Sequence, residues 1–157
     1  MGFKDWCTPP DFFRKLHGHF KFTLDAAADD KNHLLDKWCT IDGKHYRHLD
    51  STYGNSAHYV GWFKEGLNGL NPQALEGERV FCNPPYDNTL YKWVKIAASG
   101  IADIAVLLLP PSIDTKWFHD FIWDDGYIGK PPSPRDGVEV HFLNKRLRFW
   151  RDGKEGS

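Results

Sequence analysis

Asn83-Pro84-Pro85-Tyr86 is the segment of this 157-residue chain whose residue types could do chemistry together. A nitrogen attached to a planar π system is a poor nucleophile, because its lone pair is delocalised. Acceptors for its hydrogens pull it toward tetrahedral geometry and localise the pair. Asn83 offers a side-chain carbonyl for this, and Pro84 a main-chain carbonyl. Consecutive prolines hold the backbone and bring no N–H that would compete. Tyr86 supplies a flat face on which a planar ligand can stack. The same four residues also read as a rigid turn, since Asn and Pro are ordinary turn formers. The elements around them have to decide between the two readings.

Those elements follow a clear order from residue 79 onward. Arg79–Cys82 has a buried-strand pattern and runs straight into Asn83. A helix is predicted next, with Leu90, Trp93, Val94, Ala97 and Ala98 on one face and Gly100 closing it. The run Ile104–Leu109 is almost continuously apolar, as in a strand covered on both faces, and Pro110-Pro111 stops it. Asp114 is predicted to cap a further helix through Trp117, Phe118, Phe121 and Ile122. Val138–Phe142 and Leu147–Trp150 are predicted to pair around Asn144-Lys145.

Upstream, Thr8-Pro9-Pro10 suits a helix start with Thr8 as the cap, Phe12, Phe13 and Leu16 as the apolar face, and Gly18 as the end. Phe20–Leu24 alternates like a strand and runs into Asp25 and the small residues Ala26-Ala27-Ala28. Residues 29–65 carry the weakest pattern, with a short strand expected near 37–41 and a loop at Asn55–His58. The alternation implies an α/β fold: a mainly parallel sheet with helices on both faces and an antiparallel C-terminal hairpin. Ligands in such sheets bind beyond the carboxyl ends of the strands, which puts Asp25 and Asn83 on one rim. With no repeat, low-complexity tract or linker, residues 1–157 read as a single domain.

Composition narrows the function. A chain with 41% hydrophobic and 26% charged residues can bury a core and is not of the disordered class. A net charge of −1 excludes the global basic excess of proteins that grip nucleic acid over their whole surface. Any such contact must come from a local patch, and the densest is Lys145-Arg146-Leu147-Arg148-Phe149-Trp150-Arg151. That run also reads as an edge strand with its charges outward. Three cysteines without zinc-knuckle spacing suggest reduced thiols and a cytoplasmic setting. No apolar run is long enough to span a bilayer, so no membrane association is expected. His17-x-His19 and His45-x-x-His48 lack companion ligands and read as surface imidazoles, so no metal is expected.

With these residues in hand, the chain resembles the phage DNA N6-adenine methyltransferases, a small Dam-like family. Five segments carry the resemblance: Trp6-Cys7-Thr8-Pro9-Pro10-Asp11-Phe12-Phe13, Phe22-Thr23-Leu24-Asp25-Ala26-Ala27-Ala28, Phe81-Cys82-Asn83-Pro84-Pro85-Tyr86, Leu107-Leu108-Leu109-Pro110 leading to Asp114-Thr115-Lys116-Trp117-Phe118-His119, and Phe142 to Phe149. The resemblance implies a Rossmann-like methyltransferase fold and S-adenosylmethionine as methyl donor. It further implies double-stranded DNA as partner, with Asn83, Pro84, Pro85 and Tyr86 acting on an adenine flipped from the stack. Trp6, Thr8 and Pro9 would touch the methionine end of the cofactor, and Asp25 and Ala26 would form the floor beneath it. An acid accepting from the cofactor's adenine amine would be Glu65, with Asn68 as the alternative. Arg146 and Phe149 would approach the flipped base or the DNA.

Other roles remain open for several of these residues. Thr8-Pro9 also serves as a plain helix start, Asp25 as a helix cap, and Arg146 and Phe149 as sheet edge. The chain departs from the pattern in having no Gly-x-Gly loop after Asp25, and alanines lack glycine's backbone freedom. There is little room for a separate target-recognition domain, so specificity is expected from loops within 29–65 and 126–137 or from a second subunit. Protein glutamine is a second acceptor that Asn-Pro-Pro-Tyr suits, but such enzymes add an N-terminal helical domain and a glycine-rich loop, neither visible here. RNA adenine is another acceptor, and a non-catalytic nucleic-acid-binding relative is a rival from a different class. The intact motif argues against the last. The expected location is the cytoplasm, that of the host cell if the protein is phage-encoded.

Overall fold

The computed structural model describes residues 7–29, 31–40, 46–48, 69–151 and 154–155. Strands β1 (Leu24–Ala28), β2 (Lys37–Thr40), β3 (Tyr46–His48), β4 (Arg79–Cys82) and β5 (Ile104–Leu107) form one sheet in the order β3-β2-β1-β4-β5. β1 pairs in parallel with both β2 and β4, and β4 with β5; only β3 runs antiparallel, against β2. The chain therefore leaves β1 toward one side of the sheet and returns on the other. The strand order reverses between β1 and β4, which is where α/β sheets of this kind open a crevice.

Period-two alternation sorts the core onto the two faces. Leu24 and Ala26 of β1, Val80 and Cys82 of β4, and Ala105 and Leu107 of β5 pack on one face, against Ala74 and Leu75 of α2 (Pro72–Leu75) and Trp93 of α3 (Leu90–Ala97). Phe81, Val106 and Leu108 turn to the other face and meet Phe13 of α1 (Pro10–Phe20) together with Phe22 and Leu34. Phe81 is buried and sits edge-on to Phe13 at 5.0 Å. Burying such a side chain contributes about 1.5–3 kcal/mol. Helix α4 (Lys116–Phe121) packs Trp117 and Phe118 against Leu90 and Val94 of α3. Helices thus cover both faces, as the alternation of elements predicts. At the amino ends of the strands, Glu78 accepts from Thr23 Oγ1 at 2.6 Å and pairs with Lys37, tying three segments together away from the crevice.

Several local expectations are corrected. Helix α1 passes through Gly18 and ends at Lys21, which takes the left-handed conformation with φ 53°. Its N-cap is Pro9, with no side-chain capping bond, so Thr8 is not the cap. The first strand is not Phe20–Leu24 but Leu24–Ala28, because Phe20 is the last residue of α1 and Phe22 packs into the aromatic cluster with Phe13 and Phe81. Asp25 accordingly lies inside β1 rather than at its end or at a helix start. Asp114 does not cap α4; Thr115 occupies that place, its hydroxyl donating to Ser112 O at 2.7 Å. His17 is not a surface imidazole: its ring stacks on Phe13 at 5.5 Å, and its Nδ1 is buried without a partner among the described residues.

The C-terminal hairpin differs most. Val138–Phe142 and Leu147–Phe149 join no strand, and the short antiparallel hairpin lies later, between β8 (Trp150–Arg151) and β9 (Lys154–Glu155). Trp150 bridges instead to Cys7, where backbone bonds of 2.7 and 2.9 Å hold it. A further small hairpin, β6 (Trp123–Asp124) with β7 (Ser133–Pro134), follows α4. None of the three cysteines is in a disulfide, and no described helix is long and apolar enough to cross a membrane.

Two glycines distinguish local freedom from close packing. A Cβ on Gly69 would run into the Ala26 carbonyl oxygen and lie 2.6 Å from Trp93 Cζ3, whereas a Cβ on Gly18 meets nothing within 4 Å. Gly69→Ala is expected to destabilise the protein by about 1–3 kcal/mol through overpacking, and Gly18→Ala to stabilise it by roughly 0.5–1 kcal/mol. Urea midpoints of the two variants check this, and equal shifts would contradict the packing described.

Candidate active site

A cleft of about 830 Å³ opens at the carboxyl ends of the parallel strands. That lies in the range of small-molecule sites, roughly 300–1,000 Å³. The strand-order reversal forms its floor: Asp25, Ala27 and Ala28 from β1 on one side, and Phe81 with Asn83–Tyr86 from β4 on the other. The loop after β5 adds Leu109–Pro111, the residue before α1's cap adds Thr8, and the C-terminal segment adds Arg146–Phe149.

Asn83 leaves β4 at the point where the ladder to β5 ends, and Pro84 and Pro85 are buried behind it. The ladder's last bond runs from Leu108 N–H to Cys82 O at 3.0 Å. The Leu108 carbonyl then accepts the Tyr86 hydroxyl at 3.2 Å. One residue of the neighbouring segment therefore holds both ends of the Cys82–Tyr86 turn. Burial, with Cys82 nearby, pushes the Tyr86 phenol up to about 12, so it stays a neutral donor to that carbonyl. Its ring packs against the Leu90, Val94, Trp117 and Phe118 cluster while still facing the cleft. Among the described residues, no side-chain hydrogen bond engages the Asn83 carboxamide, which leaves its oxygen for a ligand.

Asp25 is 3% exposed and lies at the bottom of the cleft. Its Oδ2 accepts the Leu34 N–H at 3.1 Å. Burial pushes its carboxyl from 3.8 up to about 7, against the pull of the Leu34 and Ala27 amides and with a smaller push from Asp29. The loop after β1 is shaped by acid side chains in place of glycine. Asp29 Oδ1 accepts from Lys31 N at 2.7 Å and Asn32 N at 2.8 Å, which closes a tight turn and brings Asn32 and Leu34 to the cleft wall. The cleft thus has an acidic floor, while Arg146 and Arg148 stand exposed at its mouth.

Of the residues singled out in the sequence, Thr8, Asp25, Asn83, Pro84, Pro85, Tyr86, Arg146 and Phe149 come together here. Thr8 is 3% exposed and free of the capping role. Pro9 does not line the cleft; its carbonyl takes the Phe13 N–H at 3.0 Å at the start of α1. Ala26 belongs to the opposite face, where Gly69 packs on its carbonyl. Ala27 and Ala28 take its place, and a register shift between Asp25 and Ala28 accompanies their both reaching the cleft. Trp6, Glu65 and Asn68 lie outside the described residues. Asp29, Asn32 and Leu34 were not expected. Their signal is the pair of turn formers Asp29 and Asn32 following a strand.

Fold and cleft together define an α/β protein that takes its ligand at the carboxyl ends of parallel strands, with an amide and a carboxylate from adjacent strands facing one cavity. Residues 3–128 match the model of the DNA N-6-adenine-methyltransferase (Dam) family, and the chain belongs to that family of DNA methyltransferases. Comparison with curated proteins and with solved structures gave no match.

The Asp25 shift has a pH consequence. The folded state holds the proton more tightly than the unfolded chain, so stability falls as pH rises from about 4 to about 7 and then levels off. The full effect is on the order of 4 kcal/mol. Asp25→Asn keeps an acceptor for Leu34 and removes the charge. The variant is expected to lose this slope and to be the more stable protein at pH 8. Urea titrations across that range test it, and parallel curves for the two proteins would refute the burial cost.

Proposed function

We propose that the protein is an S-adenosylmethionine-dependent DNA adenine-N6 methyltransferase with a Rossmann-like fold, built as one domain and acting on a base flipped out of double-stranded DNA. The observation that carries this reading is the placing of Asn83-Pro84-Pro85-Tyr86 beside Asp25, across the strand-order reversal and in one cleft. Family membership supports the DNA adenine acceptor.

The residues suit the cofactor that the family implies. Asp25 is a buried carboxylate whose hydrogen-bond partners are amides, and among the described residues no cation is paired with it. Such a group favours a ligand with a positive centre. S-adenosylmethionine, when bound, supplies an electrophilic methyl on a sulfonium. Asp25, Thr8, Ala27 and Ala28 would hold it, and the turn at Asp29–Asn32 would stand where other chains use glycine. Asn83 Oδ1 and the Pro84 carbonyl would accept the two hydrogens of the adenine amine. Pro84 and Pro85 offer no donor in competition. The Tyr86 ring, tethered through its hydroxyl to Leu108, would stack on the base. With both hydrogens held, the amine lone pair would be free to accept the methyl group that the cofactor would supply, and one amine proton would pass to solvent. Positioning and preorganised dipoles supply the acceleration. The proposed setting is the cytoplasm.

Incubation with methyl-labelled S-adenosylmethionine and unmethylated duplex DNA, followed by digestion to nucleosides, tests the assignment. Label is expected in N6-methyl-2′-deoxyadenosine. Asn83→Ala is expected to lower the transfer rate by roughly 10²–10³-fold, as when one preorganised dipole is removed from an active site. Its cofactor Kd should stay within about threefold. Tyr86→Phe keeps the ring and loses one hydrogen bond, at a cost of about 1 kcal/mol in stability, with transfer retained. Label in protein or RNA but not in DNA would overturn the acceptor, and full activity of Asn83→Ala would overturn the mechanism.

A further inference from the structure

Lys145–Arg151 carries four cations in a chain of net charge −1. As a sequence it suits either a sheet edge or a contact with nucleic acid. The structure excludes the first for residues 145–149, which join no strand. The run instead walls the cleft with Arg146, Leu147, Arg148 and Phe149. Exposure alternates along it: Arg146 and Arg148 are exposed, and Leu147 and Phe149 are half-buried.

The chain is anchored on either side of residues 138–149. At one end, Arg135 donates its main-chain N–H to Ile122 O at 2.8 Å and its Nη2 to His119 O at 2.6 Å, holding the chain to α4. At the other, Trp150 exchanges two backbone bonds with Cys7, the residue before Thr8. Residues 138–149 therefore pass from the α4 side to the α1 side and contribute a wall of the cleft. They lie outside residues 3–128, which match the family model.

We propose that residues 145–149 are a phosphate-binding strap, and that Arg146 and Arg148 each contact a backbone phosphate flanking the target nucleotide of duplex DNA. The inference rests on the DNA-methyltransferase reading and adds to it a contact residue, Arg148, and a division of labour. All four residues line the cleft, with Leu147 and Phe149 the half-buried members and Arg146 and Arg148 the exposed ones. Arginine forks suit phosphate oxygens, and contacts of this kind position the duplex without reading its sequence.

The test is the salt dependence of duplex binding, measured for the intact protein in the presence of S-adenosylmethionine. Each phosphate contact contributes about 0.9 to the slope of log K against log salt. Arg146→Ala/Arg148→Ala is expected to reduce the slope by about 1.8, so that a fourfold rise in salt weakens wild type roughly 12-fold more than the variant. The loss should be uniform across DNA sequences, and cofactor affinity should be unchanged. Arg146→Lys/Arg148→Lys keeps the charges and should largely restore the slope, which a merely structural role would not produce. An unchanged slope in the alanine variant, with wild type binding and methylating DNA, would overturn the strap alone. A wild-type protein that neither binds nor methylates duplex DNA would overturn the methyltransferase reading and the strap with it.

Discussion

The site depends on the parallel pairing of β1 with β4. That pairing sets Leu24 beside Val80 and Asp25 beside Phe81, joining segments that lie far apart in the chain. Once it forms, the loops after both strands must open onto the same rim. Slipping the register by one residue would turn Asp25 toward the α3 face and Leu24 toward the cleft, because side chains alternate with period two. Closing so long a loop costs entropy. Burial of Leu24, Val80 and Phe81 on the two faces offsets that cost, so the hydrophobic core and the site geometry are specified by one contact.

Asp25 shows where function opposes folding. A carboxylate at the base of a sheet crevice is desolvated, and two main-chain amides compensate it only in part. A neutral residue would fold more easily there. Under the proposed function, the ionised form of Asp25 would be the partner of a cationic ligand, already oriented by the Leu34 and Ala27 amides. The Asp29 turn is the companion solution. Where glycine would let the backbone curl, an acid side chain captures two successive amides and closes the turn by hydrogen bonding.

The cleft combines a buried acid, Asp25, with exposed arginines, Arg146 and Arg148. A ligand that is cationic at one end can enter deep while an anionic polymer rests outside. A chain with no overall basic charge can still present cations where a substrate backbone would lie. The strap makes this possible because its anchors, Cys7 on one side and the α4 segment on the other, belong to elements already held by the core.

By itself the sequence determined the class of the fold, the existence of the strand running into Asn83, the two-sided helical cover and the place of Asn83-Pro84-Pro85-Tyr86 just beyond a strand end. These are local or periodic properties: an apolar run, a repeat of 2 or 3.6, a pair of prolines without donors. Tertiary structure decided what depends on partners distant in sequence. Helix α1 kept Phe20 and the aromatic cluster beneath it took Phe22, so the strand runs over Leu24–Ala28, where alternation turns Ala26 to the opposite face. Cys7, a residue with no signal of its own, claimed the backbone of Trp150 and kept Leu147–Phe149 from the hairpin that their alternation predicts. A two-residue period states only that one side of a segment is covered. Which neighbour covers it, a second strand or the wall of a cleft, is settled by long-range hydrogen bonds that no local pattern contains.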